Sequence, residues 1–84
     1  MQYYLIMCRS LTYAQRAQRT LERAGIHGTL VKAPQELSGA GCTYGIRLAG
    51  NKIDTGLTVL RKTDLPLGKI YLYQSEGKFK EVFL

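Results

Sequence analysis

The first 33 residues change their hydrophobic pattern twice, and those changes limit the fold more than any other feature of the chain. Residues 2–8 carry Tyr3-Tyr4-Leu5-Ile6-Met7-Cys8, an unbroken apolar run of the kind a central strand needs. Beyond it, Ala14, Ala17, Leu21 and Ala24 recur at three- and four-residue steps. That spacing is the narrow core-facing stripe of an amphipathic helix. Thr12 and Gln15 form a capping box at its start, and Gly25 supplies a left-handed stop. Residues 29–33 read as a second strand, closed by Pro34, which has no N–H for a ladder. Strand, helix and strand in so short a span make a crossover unit, and right-handed crossovers leave few topologies.

The remainder supplies the partners of that unit. Residues 35–41 form a loop with two glycines. Over 43–49 the side chains alternate, with Tyr44, Ile46 and Leu48 on one face and Thr43, Gly45 and Arg47 on the other. Gly50-Asn51 turns the chain. Residues 54–64 are ambiguous. Leu57, Leu60 and Arg61 could share one side of a helix capped by Asp54, while Thr55, Gly56, Thr58 and Val59 suit a helix poorly. A helix is the reading adopted. Leu65-Pro66-Leu67-Gly68 is a turn, residues 69–74 a strand, 75–77 a hairpin loop and 78–83 a charged edge strand. The expected fold is a single α+β domain over 1–84. Its sheet would be a ferredoxin-like split βαβ (βαββαβ) with an extra C-terminal strand and the helices on one face.

Composition narrows the function classes. The chain has 84 residues, of which 45% are hydrophobic, enough for a folded globule with a thin core. Two cysteines fit neither a disulfide scaffold nor a four-ligand zinc site, so no metal and no cofactor are expected. The six-residue apolar run is too short for a membrane span, and a reducing, cytoplasmic setting is the expectation. A formal charge of +6 favours anionic partners. On the predicted helix Arg16, Arg19 and Arg23 share the outer face, either as a phosphate-contacting ridge or as an ordinary solvated surface.

The thiols fall in different settings. On the split βαβ topology Cys8 closes the first strand, Cys42 opens the third, and the first helix begins nearby. Those three features meet at one sheet edge. A thiolate is favoured beside a helix N-terminus and cationic side chains. Arg9, Ser10 and Thr12 are candidate anion contacts there, and Gly39, Ala40, Gly41 and Thr43 could offer backbone amides to an anion at Cys42. Cys8 reads as a buried strand-end hydrophobe, and as a second thiol should the two cysteines pair. Cys42 reads either as a reactive carrier thiol or as a small residue filling a turn.

The run from Ala33-Pro34 through Ser38 to Cys42, followed by Tyr44-Gly45-Ile46-Arg47-Leu48, resembles the selenium/sulfur (Se/S) carrier-like family of small prokaryotic proteins. Ser10, Thr12 and Ala14 resemble that family's helix start, Gly25-Ile26 its helix end, and Gly68-Lys69-Ile70-Tyr71 its closing strand. The likeness spans about residues 3–73, leaving an added hairpin strand after it. It implies a cysteine, here Cys42, that carries sulfur or selenium as a persulfide or selenide between donor and acceptor proteins. Two positions depart from the family pattern. Gln35 stands where a basic residue is usual, and Cys-Gly has become Cys42-Thr43-Tyr44-Gly45.

Two other readings accompany the carrier. A basic sheet with Tyr3, Tyr71, Tyr73 and Phe79 on its strands could bind nucleic acid, although the tyrosines alternate too poorly to define one stacking face and no RNP-type run is present. A partner-binding or regulatory module, dimerising through an edge or open face, is the third. The single histidine, His27, follows the first helix and is expected at the opposite edge from the thiols. No general base therefore accompanies Cys42, and a protein substrate of other enzymes fits better than a catalyst.

Overall fold

The apolar run of residues 2–8 becomes β1 (Tyr3–Cys8), which sits in the middle of a five-stranded sheet. The computed structural model describes residues 2–34, 37 and 44–84. In chain order β1 is followed by α1 (Leu11–Arg23), β2 (Thr29–Lys32) and β3 (Tyr44–Ala49). Then come a 3-10 turn (Gly50–Lys52), α2 (Ile53–Lys62), β4 (Leu67–Ser75) and β5 (Lys78–Val82). The sheet order is β2-β3-β1-β4-β5, and every neighbouring pair is antiparallel. The third strand thus lies between the first two, and the α+β class read from the sequence stands.

Alternation divides the sheet into two faces. Ile6, Cys8, Ile46, Leu48 and Ile70 join Ala14, Ala17 and Leu21 of α1 and Ile53, Leu57 and Leu60 of α2 in one buried cluster. Ala14, Ala17 and Leu21 of the stripe are thus the buried side of α1, whereas Ala24, read as its fourth member, is the exposed C-cap. Leu5 and Met7 belong to the other face, and they too are almost wholly buried, at 2% and 1% exposure.

Both ends of α1 are fixed by local chemistry, one of them not as expected. Ser10, not Thr12, is the N-cap: its backbone is extended and its Oγ accepts from the Tyr13 N–H at 3.3 Å. The helix begins at Leu11, so Thr12 already lies within it. Gly25 does stop the helix, with φ of 77°. Its N–H donates to the Glu22 carbonyl and the Ile26 N–H to the Leu21 carbonyl, a Schellman pattern sealed by burial of Ile26 and Leu21.

The ambiguous segment is helical, but its cap differs too. Lys52 is the N-cap and makes no side-chain capping bond, while Asp54 lies in the first turn, where its charge suits the helix dipole. Gly56 belongs to this helix because of packing. A Cβ there would stand 2.7 Å from Leu48 Cδ1, so the absence of a side chain lets α2 lie close on β3. The Thr58 hydroxyl satisfies itself on the Asp54 carbonyl at 2.9 Å.

β4 starts two residues earlier than the sequence suggested. Leu67 pairs with Cys8, so Leu67 and Gly68 are strand and not turn. The β4–β5 connection tightens around Glu76 and Gly77, both at positive φ, as two-residue hairpin turns require.

Candidate functional site

The edge where β1 ends is built from three elements. Cys8 closes β1 and pairs across the sheet with Tyr44, the first residue of β3, and with Leu67, the first of β4. Two residues later Ser10 caps α1, whose first turn holds the positive end of the helix dipole and contains no acidic side chain. Arg9, exposed, lies between Cys8 and that cap. The positive end of α1 and a guanidinium thus share the edge at which β3 begins.

The sequence-predicted residues divide among three situations. Cys8 is 1% exposed and packs in the core, with Sγ 3.8 Å from the Ile6 carbonyl oxygen, in keeping with a strand-end hydrophobe. Of the anion contacts, Ser10 spends its hydroxyl on the helix cap, while Arg9 and Thr12 are exposed. Cys42, with Gly39, Ala40, Gly41 and Thr43, lies outside the described residues. No cluster of three or more metal-ligating side chains occurs among the described residues.

His27 falls where the topology required. It is exposed and lines a cavity of about 670 Å³ with Tyr3 and Ala49, which pair with one another at the far end of β1 from Cys8. That separation removes it from the β1–α1 edge as a proton acceptor.

The sequence reading missed the order among the aromatics. Tyr3 and Tyr73 stack at 4.6 Å with 10° between planes, and Phe79 meets Tyr73 edge-on at 5.5 Å. Arg47 Cζ lies 5.4 Å from the Tyr3 ring centre. Contrary to the poor alternation expected, residues of β3, β1, β4 and β5 form one row across the sheet. The signal was cross-strand register, which no single strand displays. Tyr3 and Tyr73 face one another, with Arg47 at the Tyr3 ring and Phe79 edge-on to Tyr73, so the row reads as a cross-strand brace more than as a vacant stacking platform.

A protein family described as "Putative Se/S carrier protein-like" matches residues 3–72. The chain belongs to that family. No curated protein and no solved structure matches it. Among the described residues no helix is long and apolar enough to cross a membrane.

Proposed function

We propose that this member of the Se/S carrier-like family is a carrier whose Cys42 holds a terminal sulfur or selenium atom and passes it to an acceptor protein. One observation carries the reading. Tyr44 pairs with Cys8, and Cys42 precedes Tyr44 by two residues, a reach of at most about 7 Å of extended chain. The edge proposed for the thiol is the one where Tyr44 begins β3, which also holds the α1 N-terminus and Arg9 and whose positive potential would favour a thiolate or persulfide anion. Backbone amides of Gly39, Ala40, Gly41 and Thr43 are proposed to support the same charge.

Loading then needs no catalyst on this chain. The Cys42 thiolate attacks the terminal sulfur of a donor persulfide, a new S–S bond forms, the donor's S–S bond breaks, and the donor thiolate leaves. Sulfane sulfur changes hands without net oxidation. Delivery is the same exchange onto an acceptor, and selenium follows the same course. The ferredoxin-like description of the sheet belongs with this proposal. It is supported by β3 lying between β1 and β2 and by β1 lying between β3 and β4. A cytoplasmic, reducing setting belongs with it as well, because it keeps such a thiol available.

Intact-mass analysis after incubation with a cysteine desulfurase and cysteine tests the proposal. The protein is expected to gain the mass of one sulfur atom, lost on dithiothreitol treatment, unchanged in Cys8→Ala and abolished in Cys42→Ala. A gain that survives Cys42→Ala, or no gain at any desulfurase concentration, overturns it. Iodoacetamide trapping adds a second reading: near neutral pH Cys42 should alkylate well before buried Cys8 does.

A further inference from the structure

The three arginines of α1 are more than an outer face. Arg16, Arg19 and Arg23 are exposed, and together they line a groove of about 560 Å³ between α1 and the connection from α2 to β4. The opposite wall is Thr63, Asp64, Leu65 and Pro66, with Asp64 at a positive φ of 62°. Among the described residues the only ion pair is Lys69–Glu81, on another part of the molecule. None of the three guanidiniums is therefore ion-paired to Asp64 across the groove or to Glu22 on the same helix. Three cations at successive helical steps, facing the single carboxylate of Asp64, raise the local potential along about 10 Å of helix axis.

We propose that this groove binds the phosphate backbone of a single nucleic-acid strand. The guanidinium fork matches phosphate oxygens in pairs, and three forks spread over about 10 Å suit two or three consecutive phosphates. An acidic polypeptide would offer carboxylates to the same forks. It would also require an apolar anchor at the centre of its interface, and the groove has little to give. Tyr13 and Leu65 are half-buried against the core and Pro66 is the one exposed apolar residue of the lining, beside three arginines, two threonines and an aspartate. The overall charge of +6 acts in the same sense, steering a polyanion toward the chain. Because the contacts reach phosphates and not base edges, binding is indifferent to sequence.

Fluorescence anisotropy with a labelled single-stranded oligonucleotide, across a salt series, reads this out on the full chain. With three phosphates engaged, log K should fall against log salt with a slope of roughly −2, about an 18-fold weakening between 50 and 200 mM salt. The exposed triple variant R16Q/R19Q/R23Q should weaken binding by at least about tenfold at low salt and flatten that slope. A charge-matched variant, K52Q/K78Q/K80Q, removes the same number of cations elsewhere and should change affinity less than about threefold. Circular dichroism verifies that both variants keep their helices. Equal losses in the two variants would mean that only net charge is sensed, and the site is then wrong. Absence of binding overturns it, and so does competition by polyglutamate as effective as by unlabelled oligonucleotide. Cys42→Ala should bind the oligonucleotide as the parent does, so failure here and failure of sulfur loading are separate results.

Discussion

The two faces of the sheet solve the same problem with different materials. On one, Ile6, Ile46, Leu48 and Ile70 lie under two helices and share a core with Leu21 and Leu60, all at most 8% exposed. On the other, Leu5 and Met7 are equally buried, yet the visible brace there is the row Arg47, Tyr3, Tyr73 and Phe79. Helices cover by area and bury by volume. Three rings and one guanidinium brace four strands while remaining partly exposed. The helix-covered face should therefore dominate stability, whereas the open face should contribute through coupled pairs.

The largest expected effect tests that ranking directly. Leu60→Ala removes a fully buried side chain between α2 and the sheet and should cost about 2–5 kcal/mol, measured by urea denaturation. A loss below about 1 kcal/mol would mean that the helices are not what holds this face. Gly56→Ala comes next. Helix propensity alone would make it stabilising by about 1 kcal/mol. Here the added Cβ meets Leu48 Cδ1 at 2.7 Å within a packed core, and overpacking of about 1–3 kcal/mol should outweigh the gain. A more stable Gly56→Ala protein would show that α2 can lift off β3.

The open face is probed by coupling. Tyr3→Ala, Tyr73→Ala and the double variant should give an interaction energy of about 0.5–1.5 kcal/mol, larger than expected for strangers on one surface. Additive losses would reduce the row to independent contacts. Ser10→Ala against Thr12→Ala has a similar magnitude. The first removes the bond from the Tyr13 N–H and should cost about 1 kcal/mol, the second little.

Those contrasts also mark what the sequence could and could not reveal. The stripe of Ala14, Ala17 and Leu21 and the stop at Gly25 were readable because each depends only on neighbours within a turn or two. The N-cap was misplaced because Ser10 and Thr12 are both good caps, and only the position of the first helical residue separates them. The second helix was ambiguous for a tertiary reason: Gly56 lowers helix propensity, but it is there to admit Leu48. The aromatic row could not be read at all from single strands, since it exists only in the pairing of β1, β3, β4 and β5. Of the candidate site, the meeting of Cys8, the α1 start and the first residue of β3 was legible, because sheet topology dictates it. The cavity flanked by Arg16, Arg19 and Arg23 was not, because its second wall comes from residues 63–66.

The smallest effect discriminates most finely between the ways a sheet face is held. Lys69 Nζ lies 3.7 Å from Glu81 Oε1 across β4 and β5, on the face that bears Tyr71 and Phe79. The lysine side chain is 55% exposed and the glutamate 32%, so solvent screens the attraction and ordering two long side chains offsets most of it. Lys69→Ala should cost less than about 0.5 kcal/mol, with little further change when salt is raised. If instead the variant loses as much stability as Tyr73→Ala, charge and not ring contact would be the stronger tie between β4 and β5. The brace of aromatics would then be a consequence of strand pairing and not one of its causes.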